Sequence, residues 1–451
     1  MTQSGSVKVE PIGVLGLGHV GLPTAVGLAE VGWTVIGADD DRAKAEMIAR
    51  GQVPFYEPGL QEALQTHLRS GRLHITADTG EAVQQARVLF VCVGTPLSHE
   101  GLPDLSQVEA VARTIAHHMN GYKLIVEKST TPVGTAKQIE KTLRWYSNGQ
   151  HAFDVAVNPE FLQEGTALRD FLNPSRIVLG VDSAQARDIL LTVYQPFLRP
   201  DRPHGPAPLI VTDTNTAELI KHASNAFLSM KISFINLMAD VCEAVGANVD
   251  QVARGLGLDP RIGPHFLRAG IGYGGSCLPK DLKTFVRVGE SLGVDMGLLR
   301  EVDRINEERP LRFVQKLRQA LWNLKGKTVA IWGLAFKPGT DDMREAPSIT
   351  IIKRLLAEGA RLRLYDPQAL PTARRMLGGE HGEIDYSPSP YEAVREADAL
   401  LVLTEWPEFL QVDMASVRRL MRVPILGDGR NLFDPQAMRA LGFGYFSVGR
   451  P

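Results

Sequence analysis

Cysteine is scarce: the chain of 451 residues holds three, Cys92, Cys242 and Cys277. Three scattered thiols cannot build a disulfide framework, and they lack the paired spacing of a zinc site, so no metal centre is expected. An excess of either charge is missing as well. The formal net charge is −2, which gives no support for nucleic acid or an anionic membrane surface as a partner. No uninterrupted apolar run approaches the roughly 20 residues of a membrane span. The opening MTQSGSVKVEP has none of the apolar core of a signal peptide. These absences predict a reducing, cytoplasmic setting.

What is present is apolar content, 44% of the chain, enough for more than one core, because single cores stop growing near about 250–300 residues. The first third alternates β-rich apolar runs with helical patterns. Candidate strands cover 12–18, 34–39, 87–94, 123–129, 154–160 and 176–181. Continuous apolar strands separated by helices predict a parallel sheet buried on both faces. The proline-rich stretch 194–209 closes this region. From Thr214 an unbroken helical pattern begins, with apolar residues at three- and four-residue spacing and no proline to about residue 245. The last third restarts the first pattern: TVAIWGLAF (328–336) echoes PIGVLGLGH (11–19), RLRLYDP (361–367) echoes TVIGADD (34–40), and ADALLVLTEW (397–406) echoes ARVLFVCVGT (86–95). A second doubly wound domain is expected there. It lacks the full glycine fingerprint and so should take a different ligand.

The fingerprint itself is GLGHVG, with Gly16, Gly18 and Gly21 in G-x-G-x-x-G register between an apolar strand and a helix. Glycines at these places allow a tight turn and a close approach of backbone to a pyrophosphate. Asp39 ends the next strand, 18 residues beyond Gly21, where a carboxylate binds an adenosine ribose. Its charge would repel a 2′-phosphate, which favours NAD over NADP, although nearby Arg42 weakens the argument slightly. The strand ends VCVGTP (91–96) and VEKSTTPVGT (126–135) point to the same crevice. Cys92 in a strand and Cys242 on the long helix read as buried small apolar residues. Cys277 is different. It lies in IGYGGSCLPKDL (271–282), and Pro279 suits the first position of a helix. A helix N-terminus and Lys280 favour its thiolate, and the glycines leave room for a substrate. A thiolate beside an NAD site suggests oxidation of an alcohol to an aldehyde, thiohemiacetal formation, a second oxidation to a thioester, and hydrolysis. A cysteine hydrolase with His265 as base is the competing reading, and it leaves the fingerprint and Asp39 unexplained.

Taken in order, GLGHVGLP, YEPGL (56–60), VEKSTTPVGTA, NPEFLQEGTALRDFLNPSRIVLG (158–180), AELIKHASNAFLSMKISFIN (217–236), RIGPHFLRAGIGYGGSCLPKD (261–281), AFKPGTDDMREAPS (335–348) and DGRNLFDP (428–435) resemble the nucleotide-sugar dehydrogenases, the UDP-glucose/GDP-mannose dehydrogenase family. The resemblance implies two doubly wound Rossmann-like α/β domains joined by a long central helix and a helical dimerisation region. The divisions expected are an NAD-binding domain over 1–212, a dimerisation domain with the cysteine loop over 213–310, and a UDP-sugar-binding domain over 311–451. It implies a homodimer or higher homo-oligomer that oxidises the C6 alcohol of UDP-glucose in two NAD-dependent steps. GDP-mannose or another nucleotide sugar is the alternative substrate, and a catalytically dead nucleotide-sugar-binding protein the alternative of another class.

By the same resemblance Cys277 is the nucleophile. Lys221 and Asn225, four residues apart and so on one helix face, meet the reacting oxygen. Glu164 and Thr130 hold the water, and Asp281 supports them. His19, Val20, Lys44, Gly94, Thr95, Thr130, Glu164, Lys280 and Arg344 join the fingerprint at the cofactor. Glu160, Phe161, Leu162, Arg261, Tyr273, Gly274, Phe336, Lys337 and Arg430 join Lys221 and Asn225 at the substrate, with Arg261 reaching the neighbouring subunit's site. Three departures stand out from the family pattern: Leu278 where phenylalanine is common in UDP-glucose enzymes and leucine in GDP-mannose enzymes, His19 for tyrosine, and Thr131 for valine. Ser276 stands where enzymes of N-acetylated sugars carry histidine.

Overall fold

The computed structural model describes residues 11–98, 102–378 and 383–451. The polar opening, residues 1–10, lies outside them. The chain divides into two compact units, Met1–Ser224 and Asn225–Pro451.

The first unit is built on eight strands: β1 (Ile12–Leu15), β2 (Val35–Ala38), β3 (Leu73–Thr76), β4 (Val88–Val91), β5 (Lys123–Glu127), β6 (Phe153–Val157), β7 (Ile177–Val181) and β8 (Leu209–Thr212). Their order is β3-β2-β1-β4-β5-β6-β7-β8, so the chain changes direction across the sheet between β1 and β4. Register places Ile12 opposite both Val35 and Val88. Side chains alternate between two cores. Ile12, Val14, Val88, Phe90, Leu124 and Val126 pack on one face with Leu22 and Val26. Leu15, Leu89, Val91 and Ile125 pack on the other with Val83, Val108 and Ile115. Both faces are covered, which explains why these strands read as continuous apolar runs.

Two features differ from the sequence-based expectation. β3 carries no sustained apolar run, and β8, an apolar LIVT, is half exposed and follows directly on the proline-rich stretch; neither was foreseen, and β7 pairs with β6 antiparallel, not parallel. The segment between β6 and β7 contains only the short helix Ala167–Leu172, so no covering helix carries the chain back to the start of β6.

The second unit holds a six-stranded parallel sheet: β9 (Thr328–Trp332), β10 (Arg361–Tyr365), β11 (Ile384–Tyr386), β12 (Ala399–Val402), β13 (Ile425–Asp428) and β14 (Gly444–Ser447). The order β11-β10-β9-β12-β13-β14 is the doubly wound dinucleotide-fold order, again with a switch beside its first strand. The sequence echo identified β9, β10 and β12. The expected long helix runs Thr214–Val245, beginning in the first unit and continuing in the second. The helix after the cysteine starts at Leu278, one residue before the position expected, with Pro279 second. Proline costs nothing at either place, since N–H groups of a first turn have no partner within the helix.

Candidate active site

In the first unit the three fingerprint glycines do different work. Gly16 turns the chain at φ +90°, and a Cβ there would lie 2.9 Å from the Cys92 carbonyl oxygen. Gly21 opens the helix Gly21–Glu30, and its Cβ would lie 1.7 Å from the Gly16 oxygen. Gly18 faces open space, with nothing within 4 Å of a built Cβ. A turn that is packed from behind and open in front is the cradle a dinucleotide pyrophosphate needs, so these residues fit NAD. Asp39 follows β2 and is buried. Its Oδ2 accepts from the Leu17 amide at 2.7 Å and lies 2.7 Å from Lys44 Nζ, and its Oδ1 accepts from the Asp41 amide at 3.1 Å. It therefore ties the glycine turn to the end of β2. Val20 is the residue that precedes the helix, and His19 stacks on Phe55 at 4.1 Å. The loops after β4 and β5 are bonded together. Thr95 Oγ1 donates to the Thr130 carbonyl at 2.9 Å, Ser129 Oγ to the Val93 carbonyl at 2.7 Å, and Gln107 accepts from the Gly94 amide at 3.1 Å.

A second polar group lies in the same unit. Lys221 Nζ donates to Glu160 Oε1 at 2.8 Å, both buried. The other Glu160 oxygen accepts from the Leu162 amide at 2.6 Å. The Lys221 ammonium lies 5.6 Å from the Phe161 ring, and Arg176 lies 3.6 Å over that ring. Lys128 donates to Asn158 at 2.9 Å, and Tyr194 to the same oxygen. Lys128, Asn158, Glu160, Phe161, Arg176 and Tyr194 line one cavity. Burial pushes the Cys92 thiol up to about 12, with Lys128 opposing it, which makes Cys92 inert as expected. Burial also lowers the Lys128 ammonium. Glu164 sits on the turn before the helix Ala167–Leu172. Glu57 secures that turn, its two oxygens accepting from the Gly165 and Ala167 amides at 2.7 and 2.8 Å. Lys128, Asn158, Arg176 and Glu57 were missed from sequence. All four lie inside motifs singled out above, but a buried cation on a strand end has no periodic signature.

In the second unit Cys277 is half-buried and caps the helix Leu278–Ser291. Ser276 Oγ is 3.6 Å from its sulfur. Asp281, in the first turn, is buried. Its Oδ2 accepts from Asn225 Nδ2 at 2.6 Å, and its Oδ1 lies 2.8 Å from Lys280 Nζ. Thus Asn225, Asp281 and Lys280 form one cluster at the base of the cysteine turn. The glycines before Cys277 permit close packing: a Cβ on Gly274 would lie 2.2 Å from the Glu345 oxygen, and one on Gly275 2.8 Å from the Phe336 ring. The Gly275 amide donates to the Arg344 carbonyl at 2.9 Å, and the Arg344 guanidinium grips Asp342. Tyr273 is buried, its amide donating to Asn306 at 2.9 Å. Lys337 Nζ lies 5.6 Å from the Phe336 ring. Arg430 is half-buried and spends its donors on the carbonyls of Leu403 and Gly272 at 2.8 Å, with Phe336 at 3.4 Å. Arg261 is 87% exposed and held by Asp259 at 2.6 Å.

These arrangements agree with what the chain resembles. A family model described as the NAD binding domain of the UDP-glucose/GDP-mannose dehydrogenase family matches residues 10–198, the central domain of the same family 215–308, and its UDP binding domain 330–435. A UDP-glucose 6-dehydrogenase of Pseudomonas aeruginosa is 44% identical over 446 residues, 97% of each chain. One from Bacillus subtilis is 43% identical over 443 residues, 98% of this chain and 94% of that one. The solved UDP-glucose dehydrogenase of Pyrobaculum islandicum superposes with a TM-score of 0.91 at 38% identity, covering 100% of both chains. A GDP-mannose dehydrogenase of Pseudomonas aeruginosa gives 0.53 at 29% identity, over 94% of this chain and 97% of that one. With the domains matched in the family's own order and an NAD cradle formed by the first of them, the chain belongs to the UDP-glucose/GDP-mannose dehydrogenase family.

Proposed function

We propose that the protein oxidises the C6 alcohol of UDP-glucose to the carboxylate of UDP-glucuronate in two NAD-dependent steps, with Cys277 as nucleophile. The observation that carries this reading is the placement of Cys277: a half-buried thiol on a helix N-terminus, with Lys280 in the first turn and glycines on its approach. Bound NAD supplies the two-electron acceptor for each oxidation. Lys221 stabilises the alkoxide as the alcohol proton leaves through a water held by Glu164 and Thr130. The Cys277 thiolate adds to the aldehyde carbon, Asn225 donates to the resulting oxyanion, and a second oxidation yields a thioester. Water cleaves the carbon–sulfur bond, returning the thiolate. Glu160 holds Lys221, and Asp281 holds Asn225 and Lys280. Lys337, Arg261 and Arg430 supply cations for the diphosphate. For Arg430 this requires exchanging part of its present carbonyl bonds. The working form is a homodimer or larger, with the helix Thr214–Val245 in the interface.

The balance requires two NADH for each UDP-glucose consumed. Mixing the protein with NAD and a limiting amount of UDP-glucose should give that ratio by absorbance, with uronate found by mass spectrometry. One NADH, or preferential use of GDP-mannose, would overturn the reading.

A further inference from the structure

Glu127 ends β5 and is fully buried, and the active-site account gives it no part. Thr131 Oγ1 donates to its Oε1 at 2.5 Å. Opposite stands Glu218 of the long helix. Both Glu218 oxygens accept from backbone amides at the N-terminus of the helix Thr135–Tyr146, Gly134 at 2.5 Å and Ala136 at 2.9 Å. An acceptor of two helix-terminal amides is the natural place for the anion. A second carboxylate at the same buried spot would set two like charges side by side, which favours a proton on its neighbour. Thr131 supports this assignment: its hydroxyl donates to Glu127 Oε1, while Glu127 Oε2 is buried with no donor among the described residues and is the oxygen left to carry a proton. On the same helix His222 Nε2 donates to the Thr131 carbonyl at 2.7 Å. Ala136, whose amide Glu218 accepts, and Ala217, next to Glu218 in sequence, belong to a buried apolar cluster with Val157 and Val178. Glu218 and His222 are thus the titratable groups brought to this turn by the long helix.

We propose that Glu127 and Glu218 are positioning residues for the turn 129–134 that carries Thr130, with Glu127 as the neutral, proton-donating partner. The turn is bonded at Thr131 from both sides and at Gly134 from the end, and Thr130 lies between these anchors with its carbonyl accepting from Thr95. Burial first, and then the Glu218 charge, hold the Glu127 carboxyl well above the ordinary range. For a group raised on folding, the associated stability is present below its ordinary value and is lost as pH rises through the raised one. The turn should therefore loosen on the alkaline side. Thr131, unusual where the family pattern has valine, belongs to this device.

The inference rests on the dehydrogenase reading for its kinetic arm alone. E127Q copies the neutral acid: its amide donates to Glu218 and its oxygen accepts from Thr131. It should keep the neutral-pH rate within a few-fold while losing the alkaline decline in kcat expected of the unmodified protein. E127L has similar bulk and no donor. It should lose roughly ten- to a hundredfold in kcat, the scale of a misplaced catalytic group, with the Michaelis constant for UDP-glucose little changed. Independently of activity, the infrared difference between the unmodified protein and E127Q at neutral pH should contain the carbonyl band of a protonated carboxylic acid. Absence of that band, an unchanged alkaline decline in E127Q, or equal rates for E127Q and E127L would each overturn the proposal. If the unmodified protein forms no NADH with UDP-glucose, the functional reading fails, and the infrared comparison decides the carboxyl pair on its own.

Discussion

Asp39 is three-way bonded at the end of β2, and we propose that its charge selects NAD over NADP. Removing it as Asp39→Ala deletes a ribose partner and frees the Leu17 amide that it holds at 2.7 Å. Losing a bond to a charged group costs about 1.5–3 kcal/mol, so the Michaelis constant for NAD should rise roughly ten- to a hundredfold, with that for UDP-glucose far less affected. Equal or better use of NADP by the unmodified protein would count against this role. Cys277 allows a sharper test. A serine there is hardly ionised near neutral pH, so Cys277→Ser should bind both ligands yet form almost no uronate. Supplied with the isolated aldehyde and NADH, it should still return the alcohol, a step that on the proposed mechanism needs Lys221 and no thiolate. Conversion of alcohol to acid near the unmodified rate would reduce Cys277 to a turn residue. Asp39 and Cys277 were legible because each stands at a fixed offset from glycines. Lys128 and Asn158 were not, since their meaning comes from strands β5 and β6 lying side by side, which no local spacing reports.

The glycine turn between β1 and its helix separates binding from folding. Gly18→Ala puts a methyl into open space, so the thermal midpoint should hardly move while NAD affinity falls sharply, because the methyl stands where a pyrophosphate must approach. Gly21→Ala drives a methyl to within 1.7 Å of the Gly16 oxygen, and the helix must shift. Overpacking of this kind costs about 1–3 kcal/mol or more, visible as a lower denaturation midpoint. Thermal melts with and without NAD would separate the two, and equal destabilisation would contradict the assignment. Elements with strong apolar runs were readable in the sequence: β1, β4, β5, β9, β12 and the long helix. The weakly patterned β3 and β11 and the half-exposed β8 were not, because they lie at sheet edges and bury less. The reversal at β7 depends on where a short helix ends up, which strand patterning does not encode.

At the scale of the molecule, the long helix presents Phe227, Phe234, Leu237, Val241 and Val245 to solvent in a single chain, with Phe227 57% and Val245 70% exposed. Their spacing is that of one helix face, and so wide an apolar stripe favours a second copy. Light scattering should give at least twice the chain mass, and Phe234→Glu should lower it. Mixed Arg261→Ala and Cys277→Ala variants should regain part of their lost activity if sites are shared. No recovery despite demonstrated subunit exchange would count against sharing. The echo between the two sheets has its own outcome. Asp366, after β10, stands where Asp39 stands after β2, and it receives five donors: the amides of Leu334, Ala335, Gln368 and Ala369, and the Trp406 indole. A carboxylate so fully engaged has no lone pair left to offer a ribose. In the second sheet the matching acid serves as an internal rivet, and calorimetric titration should accordingly saturate at one NAD per chain, two sheets of kindred winding but one dinucleotide berth.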